Sequence, residues 1–310
     1  MGKIAFVFSG QGAQYSGMGK SLYDLGGGAK KLYEEAEALR PGTMNQSFSG
    51  TDEELRITAN TQPCLYLVDL SAAISLNEMG VYADGTAGFS LGEIAALAYS
   101  GAYSYADGFK IVCARGKLMN EAAEGAETAM CAVLKLDSKT IADTASKFEK
   151  LYAVNFNSPG QTVVSGLKSS FEAFEAEIRG LGGRCVMLPV SAAFHSPFMD
   201  SAAAGFAKEL ENYADGIKIP EIPVYSNLTA KPYEKNIAEY LEKQMKSPVR
   251  WQETVENMIA DGYTDFVEVG AGMTLCGLIK KISKDVRVYS VENESTLRAA
   301  AEAVKANANA

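Results

Sequence analysis

Strand-like and helix-like patterns alternate along most of this 310-residue chain, which restricts it to an α/β architecture built on a mostly parallel sheet. Residues 3–9, KIAFVFS, are a short apolar run that stops at a glycine and read as a first buried strand. Helical patterns follow at 17–24, 31–38 and 63–80, the last with Leu65, Val68, Ala72, Leu76 and Met79 on one face. A short strand near 85–89, a small-residue helix over 91–100 and an amphipathic helix over 106–123 come next. Beyond residue 191 the alternation resumes, with strands at 222–226, 265–269 and 286–290 and helices at 234–246, 251–261 and 273–282. The alanine-rich tail over 299–310 is expected to fray.

Residues 129–190 have a different rhythm. Strand, helix and strand lead to a tight Asn157-Ser158-Pro159-Gly160 turn, and strand, helix and strand follow. That β-α-β-β-α-β order is the signature of a ferredoxin-like unit. The expected organisation is a large α/β domain formed by 1–127 and 191–310, with a ferredoxin-like subdomain inserted at 128–190 and a ligand cleft between them.

Composition excludes several function classes. With 29 basic and 38 acidic side chains the net charge is −9, so a nucleic-acid backbone would be repelled. Apolar runs are too short to span a membrane and the N-terminus has no secretory pattern, so a cytoplasmic protein is expected. Cys64, Cys113, Cys131, Cys185 and Cys276 are widely spaced and suit neither a disulfide framework nor a CxxC pair; buried reduced thiols are expected. His195 is the only histidine, which removes multi-histidine zinc sites and makes it the sole candidate for a histidine base. No metal ligand set and no cofactor motif is read. Asn-x-Ser/Thr matches at Asn45, Asn227 and Asn293 carry little meaning without an export signal.

Four segments carry chemistry. The glycine-rich turn Gly10-Gln11-Gly12-Ala13-Gln14-Tyr15 fails as a dinucleotide fingerprint because Tyr15 stands where Gly or Ala is required. It fails as a phosphate loop because Gln14 precedes Gly19-Lys20-Ser21 at the position of the first glycine. What remains is a turn whose glycines allow close backbone approach, structural or functional. Gly88-Phe89-Ser90-Leu91-Gly92, between a strand and a helix, fits a nucleophile elbow with the Leu91 N–H at the helix start; a small-residue helix start is the plain alternative. A serine hydroxyl needs a base, and His195 could act in a dyad or be oriented by a backbone carbonyl. Arg115, on an apolar helix, is either an exposed helix arginine or a fork for a carboxylate, and spacing does not choose.

Taken together, Phe8-Ser9-Gly10-Gln11-Gly12-Ala13-Gln14, Gln62-Pro63, Gly88-Phe89-Ser90-Leu91-Gly92-Glu93, Arg115-Gly116-Lys117-Leu118-Met119, Asn155-Phe156-Asn157-Ser158-Pro159-Gly160-Gln161, Phe194-His195-Ser196-Pro197-Phe198-Met199, Ser247-Pro248-Val249-Arg250-Trp251 and Glu268-Val269-Gly270 resemble, in order, the motifs of malonyl-CoA:acyl carrier protein transacylases and polyketide synthase acyltransferase domains. The resemblance spans about residues 3–295. It implies a hydrolase-like large α/β domain with Ser90 as the acylated nucleophile and His195 as its base. Gln11 and Leu91 would supply the two oxyanion N–H donors, and Arg115 would pair with the malonyl carboxylate. It also implies a carbonyl near Arg250 orienting His195, a positioning role for Asn157, and selection of malonyl over methylmalonyl by the bulky Phe194. The chain departs from the family at Phe89, where histidine is usual.

The implied partners are malonyl-CoA and an acyl carrier protein bearing phosphopantetheine, in supply of fatty acid synthesis. A stand-alone polyketide acyltransferase, a serine acyl hydrolase and a catalytically idle docking module are the alternatives. Such carrier proteins are acidic, so docking on a chain of net charge −9 needs a local basic patch. Lys280, Lys281 and Lys284 form one candidate; Lys110, Lys117 and Lys135 form another.

Overall fold

The computed structural model describes residues 2–190 and 192–308. Ser191, the expected point of return from the insertion, and the last two residues of the tail lie outside the described residues. In chain order the strands are β1 (Lys3–Phe8), β2 (Gly85–Gly88), β3 (Thr128–Leu134), β4 (Leu151–Ser158), β5 (Gln161–Leu167), β6 (Arg184–Met187), β7 (Val224–Tyr225), β8 (Tyr263–Val269) and β9 (Arg287–Val291). They form two sheets, ordered β7-β2-β1-β8-β9 and β4-β5-β3-β6.

Every pairing in the first sheet is parallel. Its central strand explains why a continuous apolar run was needed there. Phe6 and Phe8 enter the main core, Ala5 and Val7 a second core on the opposite face, and all four are fully buried. With a side-chain period of two and helices on both faces, the strand is buried from Ala5 to Phe8, and only its first two residues meet water. Each buried phenylalanine contributes about 1.5–3 kcal/mol.

The second sheet is antiparallel throughout, and its order is that of a ferredoxin-like unit. Helices Ser138–Ala145 and Phe171–Gly180 cover one face through Ile141, Phe171, Phe174 and Ile178. The second sheet is tied to the rest of the fold by an isolated bridge between β4 and Val249. Phe156 donates its N–H to the carbonyl of Val249 at 2.9 Å, and Val249 donates to Val154 at 2.8 Å.

Several helices differ from the sequence reading. The helix expected from residue 63 begins five residues earlier, as Thr58–Glu78, and runs through Pro63. A proline is well placed in a first turn, but burial on nearly every side holds this helix across it, so the one-faced pattern also understates its burial. Short helices Thr43–Ser49 and Asp52–Arg56 were not expected, although the second is announced by a Thr51/Glu54 capping box. Helix Asp200–Glu211 was likewise missed. As far as Ala308 the tail is ordered helix, not frayed chain: Glu294–Ala308 buries Leu297, Ala300, Ala301 and Val304. Among the described residues no helix is long and apolar enough to cross a membrane.

If the tail is part of the core, Leu297→Ala should destabilise the chain by about 2–5 kcal/mol in equilibrium urea unfolding. A change near zero would mean that the tail frays in solution.

Candidate active site

The site is built where β1 and β2 end side by side. Phe89 donates its N–H to the carbonyl of Phe8 at 3.0 Å, and the chain then turns sharply into helix Gly92–Tyr99. Ser90 stands on this turn at φ 55°, a left-handed conformation that a serine adopts only under constraint. The neighbouring glycines are required by space. A Cβ at Gly88 would lie 2.0 Å from the carbonyl carbon of Gly92, and one at Gly92 would lie 2.3 Å from the oxygen of Phe8. Gly10 meets the same limit, 2.7 Å from the oxygen of Phe89, so the first glycine-rich turn lies against the elbow.

Asn227 holds the elbow from outside. Its Oδ1 accepts from the Ser90 N–H at 2.7 Å, and its Nδ2 donates to the carbonyl of Gly88 at 2.6 Å. Below it, Glu93 is fully buried and accepts from Tyr233 Oη, Asn227 N and Gln244 Nε2. Burial raises the Glu93 carboxyl above its ordinary range, and these donors oppose that shift.

Ser90 Oγ lies 2.7 Å from His195 Nε2. On the other side of the ring, Nδ1 is 2.9 Å from the carbonyl oxygen of Gln244. A carbonyl only accepts, so the proton sits on Nδ1 and Nε2 is left to receive the serine proton. The orienting carbonyl is therefore that of Gln244, not one at Arg250. The Arg250 carbonyl accepts from Thr254, and its guanidinium bonds Glu253. Helix Ile237–Met245 delivers Gln244 at its C-terminal turn, where carbonyls lack intrahelical partners, so one is available to the ring. Burial, aided by the nearby Arg115 charge, lowers the His195 pKa to about 4, so the imidazole is neutral at neutral pH.

Arg115 is not an exposed helix residue; it is fully buried. One Nη donates to Gln62 Oε1 at 2.9 Å, and the other to Ser90 Oγ at 3.1 Å and Gln244 Oε1 at 2.8 Å. Burial lowers its pKa to about 10, which still leaves it charged at neutral pH. Among the described residues no carboxylate is within ion-pair distance of it, and its Nε has no partner. Gln244 stands between this cation and Glu93, accepting from one and donating to the other.

The hydroxyl opens into a cavity of about 360 Å³ lined by both halves of the fold, with Gln11, Asn157, Phe194 and His195 among its walls. Gln11 sits on the turn after β1, its side chain on Thr58 Oγ1 at 3.2 Å. Among the described residues the backbone N–H groups of Gln11 and Leu91 have no acceptor. Phe194 is buried in the wall, and its carbonyl accepts from Ser165. Asn157 is buried with its Oδ1 unpartnered, and Asn155 on the same strand shares both properties and the same cavity. Phe89 packs edge-on against Trp251 at 5.6 Å without disturbing the Ser90 contacts. All seven expected residues thus gather around one elbow. Asn155, Asn227, Gln244 and the structural use of Gln62 and Glu93 were not foreseen.

The profile of the acyl transferase domain family matches residues 5–300. The chain belongs to that family. Among this acyltransferase's relatives, the malonyl CoA-acyl carrier protein transacylase of Bacillus subtilis (strain 168) is 38% identical, over 98% of each chain. The crystal structure of a malonyl CoA-acyl carrier protein transacylase from Clostridium perfringens matches with a TM-score of 0.93 at 35% identity, over 98% of this chain and 97% of that one. A malonyl-transacylase solved in complex with a holo type II polyketide synthase acyl-carrier protein matches with a TM-score of 0.92 at 32% identity, over 97% and 99%.

With one histidine in the chain, its imidazole proton resonances are unambiguous in NMR. Their titration midpoint should fall near 4, not near the ordinary value of 6.5. A midpoint at the ordinary value would mean that the ring is not buried against Arg115 and Ser90.

Proposed function

We propose that this acyltransferase moves the malonyl group of malonyl-CoA to the phosphopantetheine thiol of an acyl carrier protein by way of a malonyl-Ser90 ester. One observation carries the reading: Ser90 Oγ stands 2.7 Å from a neutral His195 Nε2 and 3.1 Å from the guanidinium of Arg115. The hydroxyl thus has a base on one side and a buried cation without a carboxylate on the other. A malonyl group has what each needs, a thioester carbonyl and a free carboxylate.

Ser90 gives its proton to His195 Nε2 as Oγ attacks the thioester carbonyl. The imidazolium so formed is held through Nδ1–H by the Gln244 carbonyl. The oxyanion is received by the N–H groups of Gln11 and Leu91, each typically worth about a hundred- to a thousandfold in rate. His195 then protonates the departing CoA sulfur. The carrier's thiol enters, loses its proton to the same imidazole and takes the malonyl group from serine. Arg115 engages the carboxylate through both half-reactions. Asn155 and Asn157 line the cavity and position the acyl chain, while Phe194 crowds an α-methyl group.

The work is divided between the segments 1–127 and 191–310, which carry nucleophile, base and cation, and the inserted 128–190 subdomain, which walls the cavity. Carrier docking is assigned to Lys280, Lys281 and Lys284. Helix Thr274–Ile282 lines the cavity through Thr274, Leu275 and Leu278, and Lys281 reaches Gln161 at 3.1 Å on its rim. In the other candidate patch, Lys110 and Lys117 already pair with Asp107 and Glu121. The enzyme serves fatty acid synthesis in the cytoplasm; its charge of −9 disfavours a nucleic-acid partner, and its apolar runs are too short to span a membrane. A polyketide role is the second reading, favoured by the likeness to the transacylase solved with a polyketide carrier; transfer rates to the two kinds of carrier separate them.

Intact-protein mass spectrometry after brief exposure to malonyl-, methylmalonyl- and acetyl-CoA tests the acylation step. A single malonyl adduct should form, little methylmalonyl adduct, and none in Ser90→Ala. Arg115→Ala should slow malonyl uptake by two to three powers of ten, the scale of a lost charge partner worth roughly 3–4 kcal/mol, and acetyl uptake far less. Equal loss of malonyl and acetyl would assign Arg115 to holding Ser90 alone.

A further inference from the structure

Away from the active site, the inserted subdomain brings together side chains that sequence spacing keeps far apart. Cys131 lies on β3, Cys185 on β6 and Glu175 on helix Phe171–Gly180 above them. Their ligand atoms, two thiol sulfurs and a carboxylate oxygen, all lie within 4.8 Å of one another. Cys131 Sγ donates to the backbone carbonyl of Ala132, at 3.6 Å. Cys131 is fully buried, while Cys185 and Glu175 are half-buried, so the cluster is closed on its inner side and open on its outer side.

A disulfide is the other use of two neighbouring thiols, and the register argues against it. Cys131 pairs with Met187 and Cys185 with Val133, so the cysteines are diagonal across the two strands. Diagonal Cα atoms are roughly 7–8 Å apart, at or beyond the reach of a disulfide. A metal ion with bonds of about 2.3 Å to each sulfur and about 2.1 Å to a carboxylate spans such a set without moving the backbone.

We infer that Cys131, Cys185 and Glu175 form a binding site for one thiophilic divalent cation such as Zn²⁺, with water as the fourth ligand. Two thiolates select zinc over magnesium or calcium, which prefer an all-oxygen shell. Binding displaces the thiol protons to solvent. Arg179, one helical turn beyond Glu175, offsets the remaining negative charge. The site also has a structural use. β6 is an edge strand of four residues, mostly exposed, and the chain runs directly from it into Leu188, Pro189 and Val190 of the catalytic cavity. A cation held here pins that edge to β3 and to the helix above, and takes no part in the chemistry at Ser90.

Titration of the reduced, chelator-treated full chain with Co²⁺ tests this. A thiolate-to-cobalt charge-transfer absorption should appear, saturate at one equivalent and be displaced by Zn²⁺. Cys185→Ser should abolish it, Cys64→Ser should leave it intact, and Glu175→Gln should weaken binding roughly tenfold or more, at least the cost of losing an outer hydrogen-bonding partner. Circular dichroism establishes that each variant folds, and the half-exposed Glu175→Gln carries the test if Cys185→Ser does not. Absence of the band in the folded parent chain overturns the inference. So does a band that persists in Cys185→Ser, or an affinity indifferent to Glu175→Gln.

Discussion

A buried guanidinium held by amide oxygens is the constraint around which this site is arranged. Arg115 is fully buried, and the groups that accept from it are Gln62, Gln244 and the reactive hydroxyl of Ser90. A carboxylate in direct contact would have compensated the buried charge and left nothing for a ligand to pair with. Glu93 is near enough to moderate the charge, but the amide of Gln244 stands between them. The cation is thus retained in the fold with part of its pairing capacity unfilled, beside Ser90 Oγ. That same charge helps keep His195 neutral, so the proposed anchor of the acyl chain also helps keep the proposed base ready.

Gln244 joins these functions mechanically. Its carbonyl fixes the tautomer of His195, while its side chain meets Arg115, the carbonyl of Ser90 and Glu93. One residue at the end of one helix therefore sets the distance between base, cation and nucleophile. Asn227 performs the corresponding task for the elbow, compensating a strained serine with two hydrogen bonds to its flanks. The inserted subdomain completes the cavity from the other side, and the pairing of β4 with Val249 holds it there.

How much of this was legible beforehand follows from where each constraint is encoded. Gly88 and Gly92 are local: the turn leaves no room for a Cβ, so the elbow is written in five consecutive residues. The ferredoxin-like unit is legible for a similar reason, since each of its strands and helices has its own pattern and a tight turn fixes the hairpin. Asn227 and Gln244 are not legible, because they reach the elbow from 137 and 154 residues away and carry no local signature. Asn227 was visible only as an Asn-x-Thr match. Pro63 misled because a proline usually marks a first turn, whereas tertiary burial carried this helix through it. The tail misled because alanines look featureless, although Ala300 and Ala301 are small enough to pack tightly in the core.

The proposed role of the cation beside Ser90 is to hold the free end of a dicarboxylic acyl group. A crystal structure of the enzyme trapped after exposure to malonyl-CoA tests it most directly. Continuous density for an ester on Ser90 Oγ is expected, with the malonyl carboxylate in a forked contact with the Arg115 guanidinium. An ester whose carboxylate turns to solvent, with Arg115 still bound only to Gln62 and Gln244, would contradict it.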